Sequence, residues 1–114
     1  MDGYMKLVEI ESPFAGDTEK NIKYARACMS DSLHRGEAPI ASHLLYTQEG
    51  ILDDTMQEER KLGMEAGKAW SKYAELVAVY TDLGMSGGME WGVEEAKKRG
   101  ITVEYRSLPE WKNA

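Results

Sequence analysis

The sequence has little of several features on which whole protein classes depend. It contains one cysteine, three prolines and one phenylalanine among 114 residues. A single cysteine excludes a disulfide within the chain and a zinc cluster built from cysteines, and the helical pattern around Cys28 predicts a small core residue. No apolar run approaches the roughly 20 residues of a membrane helix. We therefore expect no membrane span.

Positive charge is also scarce. Fourteen Lys and Arg residues against twenty Asp and Glu residues give a net charge of −6. Because binding to a nucleic-acid backbone depends largely on Lys and Arg displacing counterions, we expect no nucleic-acid polymer as a partner, whereas a single nucleotide is compatible with this charge. The first residues place no basic region ahead of an apolar stretch, so we expect no secretory signal and a cytoplasmic location.

Apolar runs alternate with amphipathic segments along the chain. Strands are predicted at 6–11, 38–46, 76–80 and 101–105, with helices from Asp17 or Thr18 to about Arg35, over 56–72 and over 88–99. The order βαβαβαβ predicts a three-layer α/β/α fold with a small parallel sheet of about four strands, Rossmann-like or flavodoxin-like. We expect a single domain over 1–114, with a core at about 7–106 and a tail at 107–114 whose Trp111 docks on the body.

The second predicted helix has an apolar face formed by Leu62, Ala66, Ala69, Trp70 and Tyr73. Glycines at 63 and 67 each cost roughly 1 kcal/mol relative to alanine inside a helix, so they suggest close approach by another helix. Contact between copies of the chain is one explanation, and we expect a homo-oligomer. The segment 47–55 before this helix shows no clear period and is predicted to be a surface loop that could cover a pocket.

Two glycine-bearing junctions, at 12–17 and 86–90, each connect a predicted strand to a predicted helix. In a parallel sheet both lie at the carboxyl edge, where α/β folds bind ligands. Ser86, Gly87 and Gly88 would present a hydroxyl and unpaired backbone donors to a phosphate or a sugar hydroxyl. An ordinary serine cap followed by permissive glycines explains the same residues. The spacing of a Walker loop or a Rossmann fingerprint is absent.

Other side chains near this edge also have two interpretations each. Phe14 could stack on a heterocycle or fill the core. His43, expected at the carboxyl end of the second strand, could bind a ligand or be structural, and Asp82 could bind ribose hydroxyls or cap a turn. The two histidines are far apart and the carboxylates are not clustered, so we expect no metal site and no cofactor.

Five short motifs follow one another in order: Ser-Pro-Phe-x-Gly-Asp, Ala-Pro-Ile-Ala-x-His-Leu-Leu, Glu-Glu-Arg-x-Leu-Gly, Gly-x-Ser-x-Gly-Met and Ala-Lys-x-x-Gly-Ile-x-Val. Together they resemble the nucleoside 2-deoxyribosyltransferase-like superfamily, over about residues 7 to 106. More closely, the sequence is similar to small uncharacterised relatives of these enzymes, many of them encoded by bacteriophages.

The resemblance implies a site for a nucleoside or its 5′-monophosphate. Enzymes of the superfamily cleave or exchange the N-glycosidic bond, usually through a glutamate on the helix after the third strand. When the motif is set on Gly88, Met89 and Ala96, the position of that glutamate falls on Gly92. The nearest carboxylates lie two positions away, which rotates a side chain by about 200° around a helix.

Gly92 itself allows two interpretations, since a glycine in mid-helix either admits a neighbouring backbone or leaves room for a ligand. We expect the chain to bind a nucleotide or a nucleotide-derived molecule without cleaving it, with sequestration of a signal as one role. An N-glycosidase or deoxyribosyltransferase with Glu90 as nucleophile is the alternative, so the sequence leaves open whether the chain is an enzyme. An assembly protein with a vestigial pocket is a third possibility. The predicted ligand-binding residues are Ser12, Pro13, Phe14, Gly16, His43, Asp82, Ser86, Gly87, Gly88, Met89 and Gly92.

Overall fold

Strands and helices alternate through residues 3–112, the part of the chain that the computed structural model describes. In chain order the elements are β1 (Leu7–Glu11), α1 (Thr18–His34), β2 (Ala38–Ile40), α2 (Ser42–Leu45), α3 (Gln57–Ser71), β3 (Leu76–Tyr80), α4 (Gly87–Lys98) and β4 (Thr102–Arg106), followed by a 3₁₀ turn at Pro109–Trp111. The four strands form one parallel sheet in the order β2-β1-β3-β4. The predicted α/β fold with a parallel four-stranded sheet is confirmed.

The two interior strands, β1 and β3, determine which side chains face each side of the sheet. All five residues of β3 are buried, as expected for an apolar strand covered by helices on both faces. In the register of the two strands, Glu9 lies opposite Val77 and Glu11 opposite Val79. Because successive side chains of a strand point to opposite faces, both glutamates share a face with these valines.

The two faces of the sheet support two separate apolar clusters. Val8 and Ile10 of β1 pack with Tyr24 and Cys28 of α1 on one face. On the other face, the valines of β3 pack against three residues of α4, which are Met89, Val93 and Ala96. Trp111 meets the ring of Tyr24 edge-on, with ring centroids 5.1 Å apart, so it docks on the body as predicted.

The second strand is shorter than predicted. It ends at Ile40, and residues 42–45 form the short helix α2. Pro39 has no N–H group that could donate a hydrogen bond to a second neighbouring strand. In agreement with this, β2 is an edge strand that pairs only with β1. A continuous apolar run does not distinguish a strand from a helix that packs on the core, and Leu44 makes such a contact. His43 therefore lies on a helix and not at the end of a strand.

The buried side of α3 also differs from the predicted one. Leu62, Trp70 and Tyr73 are 60%, 56% and 67% exposed. The helix instead turns Gly63 and Gly67 inward, where a Cβ at 67 would lie 2.5 Å from Ser42 Oγ and one at 63 would lie 3.2 Å from Leu52 Cδ1. The two glycines thus admit α2 and a loop of the same chain, and they require no second copy. A homo-oligomer stays a prediction.

Replacing these two glycines with alanine should have opposite effects. Gly67→Ala should lower the free energy of unfolding by about 1 kcal/mol or more, because crowding against Ser42 outweighs the better helix propensity of alanine. Gly63→Ala meets only the flexible end of a leucine and should leave stability unchanged or higher. Urea denaturation of both variants measures this, and equal stabilisation of the two would contradict the packing of α2 on α3.

Candidate functional site

A pocket enclosing about 130 Å³ lies on the α4 side of the sheet, above the carboxyl end of β1. Its floor is formed by Glu9 and Glu11. Its walls come from α3 and α4, from α2, from the loop after β1, and from the segment after α2 that includes Tyr46, Leu52 and Asp54. The predicted loop at 47–55 therefore borders the pocket.

The floor consists of two acidic side chains inside the protein. Glu9 is 3% exposed; its Oε1 accepts a long 3.4 Å hydrogen bond from Ser42 Oγ, and its Oε2 is buried with no hydrogen-bond partner among the described residues. Burial raises the pKa of Glu9 to about 8, against the opposing effect of the Ser42 bond. Burial also raises the pKa of Glu11 well above its ordinary value, and the neighbouring Glu9 raises it further. Burial therefore favours the uncharged form of both side chains, and with a pKa of about 8 Glu9 is mainly uncharged at pH 7.

The Glu11 carboxyl group lies directly against Gly92. A Cβ at position 92 would be 2.6 Å from Glu11 Cδ and 2.9 Å from Oε1, closer than real side chains approach. Gly92 thus makes room for a side chain of β1, which is neither of the two interpretations that the sequence suggested. At the position where the resemblance puts a glutamate of the helix, the pocket contains a carboxyl group from the adjacent strand.

Ser12 and His43 form a second polar pair in the wall. Ser12 is buried, and its Oγ lies 2.7 Å from His43 Nε2, which connects the loop after β1 to α2. Burial lowers the pKa of His43 to about 4, so the imidazole is neutral at pH 7. A neutral imidazole next to a hydroxyl can donate or accept a hydrogen bond toward a ligand without adding charge.

The outer wall combines aromatic surface with a paired cation. Phe14 and Trp91 both line the pocket and are partly exposed. Lys68 of α3 lies 3.3 Å from a carboxylate oxygen of Glu95 on α4, and its Nζ is 5.9 Å from the centre of the Trp91 ring. This contact bridges the two helices that form the sides of the pocket.

The pocket brings together seven of the residues that the sequence pointed to: Ser12, Phe14, His43, Ser86, Gly88, Met89 and Gly92. Ser86 also acts as the N-cap of α4, since its Oγ accepts a hydrogen bond from the Met89 N–H at 3.2 Å. Its hydroxyl therefore serves the helix, as the second interpretation proposed.

The remaining candidates lie outside the pocket wall. Asp82 accepts hydrogen bonds from the Tyr24 hydroxyl at 2.6 Å and the Leu108 N–H at 2.9 Å. Its carboxylate therefore connects α1 to the segment after β4, on the side of the sheet that α1 covers. Glu90 is exposed in the first turn of α4. Pro13, Gly16 and Gly87 are also absent from the wall.

Sequence reasoning missed the two glutamates of the floor. The available signal was their alternation with Val8 and Ile10 in a strand of a parallel sheet. A strand inside such a sheet is covered on both faces, so acidic residues on one of its faces must be buried. The sequence did not show that β1 is an interior strand.

No helix among residues 3–112 is long and apolar enough to cross a membrane. Within the same residues, no group of three or more His, Cys, Asp or Glu side chains is arranged to hold a metal ion. The cytoplasmic location stays a prediction.

Comparisons with known proteins identify a family and a fold. The model of a family described as a domain of unknown function (DUF7768) matches residues 6–106. A solved 2-deoxyribosyltransferase from the psychrotolerant bacterium Bacillus psychrosaccharolyticus is similar in structure, with a TM-score of 0.60 and 17% identity over 89% of this chain and 72% of that one. No curated protein matches. The structural likeness shows the fold of that enzyme, and the closer resemblance to phage-encoded relatives stays a prediction.

The stability of the protein should fall as pH rises from about 4.5 to about 8. An acid whose pKa is higher in the folded state stabilises the fold fully below its unfolded pKa near 4.5, and this stability is lost as pH rises through the folded value of about 8. Between pH 6.5 and 8, Glu9 alone should lower the free energy of unfolding by about 1.5 kcal/mol.

Urea denaturation at both pH values tests this dependence. Glu9→Gln keeps the shape of the side chain and removes its titration, so the part of the decline that Glu9 contributes should disappear in this variant, whereas the part contributed by Glu11, whose pKa burial also raises, should remain. The exposed Glu90→Gln should retain the decline. A profile of the Glu9 variant that parallels the unmodified protein would show that Glu9 is not the titrating group.

Proposed function

We propose that the pocket binds a nucleoside or a nucleotide-derived small molecule and that no residue of α4 cleaves it. The chain belongs to the family described as a domain of unknown function (DUF7768). The family description names no activity, so the proposal depends on the pocket and its chemistry. A fold shared with a 2-deoxyribosyltransferase is consistent with this class of ligand.

The size and lining of the pocket support such a ligand. Sites for drug-sized molecules usually measure roughly 300–1,000 Å³, so an enclosed space of about 130 Å³ would cover one ring system and leave the rest of the ligand at the mouth. Phe14 and Trp91 provide aromatic surface on which a heterocycle can stack. The buried acids, Ser12 and His43 offer hydrogen bonds without a fixed charge.

Position 92 carries the argument against cleavage by α4. A nucleophile must reach the anomeric carbon at near-attack distance, and an error of about 1 Å can cost on the order of a hundredfold in rate. Gly92 has no side chain, and the space above it is filled by the Glu11 carboxyl group. Sequestration of a nucleotide-derived signal is a role that fits binding without cleavage.

The alternative with Glu90 as nucleophile has no support from the geometry. Glu90 is exposed and is not part of the wall. A glycosidase that uses this residue would require α4 to rotate so that Met89, which is 1% exposed and packed on β3, leaves the core.

Incubation of the purified protein with a panel of deoxynucleosides, nucleoside monophosphates, cyclic nucleotides and ADP-ribose derivatives tests the proposal. We expect chromatography of the denatured protein fraction to recover an intact ligand, with no free base in solution, and Glu90→Gln to behave identically. Release of base that disappears in Glu90→Gln would establish catalysis by that residue. Failure to retain any member of the panel would reject binding of this class.

Gly92→Ala should weaken binding by about tenfold, because a Cβ displaces the Glu11 carboxyl group into the pocket at a cost of roughly 1.4 kcal/mol. Gly87→Ala, at the first residue of α4, adds a Cβ with nothing within 4 Å and is the matched control. Isothermal titration of a retained ligand measures both. Equal affinities for the two variants would show that Glu11 does not lie at the ligand site.

A further inference from the structure

The floor of the pocket has chemistry that neither the family description nor the likeness to a deoxyribosyltransferase assigns. On the basis of the proposed function, we propose that Glu9 and Glu11 form a recognition site for the uncharged donor–acceptor edge of a heterocyclic base. Such an edge has an N–H group beside a ring nitrogen or a carbonyl oxygen.

The first step is the unsatisfied oxygen of Glu9. Buried polar atoms in folded proteins nearly always have a hydrogen-bond partner, and one without a partner costs roughly 1–3 kcal/mol. Glu9 Oε2 is buried and has no partner among the described residues, while the residue itself lines the pocket. A ligand that donates a hydrogen bond at this point would satisfy it.

The second step is the placement of Glu11. It lies two residues further along β1, so its side chain leaves the same face of the sheet as that of Glu9. Glu9 is therefore near enough to raise the pKa of Glu11 further. Because Gly92 leaves space for its carboxyl group, Glu11 lies beside Glu9 on the floor of the pocket, where a flat ligand can meet both.

The third step is charge. Seven other titratable side chains line the pocket: His43 from α2, Tyr46 and Asp54 from the segment after it, Glu59, Arg60 and Lys68 from α3, and Glu95 from α4. None of the ion pairs among residues 3–112 includes Glu9 or Glu11, and Lys68 is paired with Glu95. Because no cation in this part of the chain forms an ion pair with either acid, burial dominates and favours their uncharged forms, in agreement with the direction in which their pKa values are shifted.

An uncharged carboxyl group offers an O–H donor and a carbonyl acceptor side by side. This pattern is complementary to the edge of a base that has one acceptor and one donor. An ionised carboxylate offers acceptors only and would instead favour a cation. The two possibilities make opposite predictions for pH, because raising the pH removes the donor that the first requires and creates the charge that the second requires.

Glutamine and leucine variants at each position test the inference by isothermal titration. Glutamine retains one donor and one acceptor, so Glu11→Gln and Glu9→Gln should bind within about threefold of the unmodified protein at pH 6.5. Glu11→Leu and Glu9→Leu keep the volume but lose both hydrogen bonds, and each should lose about tenfold or more. An apolar side chain at these positions removes a polar group that is costly to bury, so we expect the leucine variants to fold. Glu90→Leu on the surface is the control for substitution itself.

The probes are matched pairs in which one member has its edge blocked: adenosine with N6,N6-dimethyladenosine, and thymidine with 3-methylthymidine. We expect the blocked member of the recognised pair to bind at least about tenfold more weakly. From pH 7 to pH 9, the affinity for the unblocked member should fall by about tenfold or more, and the double glutamine variant should show no such fall.

Four results would overturn the inference. Leucine variants that bind as tightly as the unmodified protein would show that the two acids do not contribute to recognition, and they would leave the proposed function intact. An affinity that rises with pH would show that Glu9 and Glu11 bind a cationic ligand in their ionised forms. Carboxyl ¹³C signals of Glu9 and Glu11 that titrate near pH 4–5 in the free protein would exclude uncharged acids whatever the ligand. If no probe binds the unmodified protein, both this inference and the proposed function are rejected for nucleosides.

Discussion

Burial of two carboxyl groups beneath α3 and α4 is the constraint on which the site depends. Because β1 is an interior strand, its two faces must both be covered, and α1 covers the apolar one. The other face carries Glu9 and Glu11, which cannot be packed tightly among apolar side chains without hydrogen bonds. The helices above them leave a space, and this space is the pocket. Its position thus follows from the alternation of side chains in a single strand.

Glycines on the flanking helices make this arrangement sterically feasible. Gly67 of α3 lets α2 approach closely enough for the Ser42 hydroxyl to reach Glu9, and Gly92 of α4 leaves space for Glu11. Each glycine costs its helix roughly 1 kcal/mol relative to alanine, and the acids themselves are costly to bury. Departures from local preference that concentrate around one cavity are typical of functional sites.

The predictable part of the fold depended on signals that are local in the chain. The apolar run of β3, the Asp17 and Ser86 caps and the glycines after the helices place most elements within a residue or two of their observed ends. The run after Pro39 was assigned to the wrong structure because apolar composition alone does not separate an edge strand from a short helix. The face of α3 was misjudged for a related reason. Its large apolar residues suggest burial, yet the helix packs through its glycines, since only they admit α2.

The site was predicted only in part because its central contact joins residues that are far apart in sequence. The motif around Ser86 points to the start of α4, which lines the pocket, and the absence of a side chain at position 92 is visible in the sequence. What fills that position is determined by the parallel pairing of β1 with β3 and by the packing of α4 on the same face. Neither this pairing nor this packing is visible in a single sequence. In the sequence, Glu11 therefore looks like one residue of an ordinary strand.

A helix and a strand that converge on one point can each supply a carboxyl group there. A carboxyl group on an exposed helix surface is solvated and ionised, whereas burial of the Glu11 carboxyl group on an interior strand raises its pKa and favours the uncharged form. The change of origin therefore changes the chemistry: an ionised carboxylate is a nucleophile or a partner for cations, and an uncharged acid is a hydrogen-bond donor as well as an acceptor. A pocket with the same outline can in this way favour recognition over attack, and the element from which the carboxyl group comes decides between them.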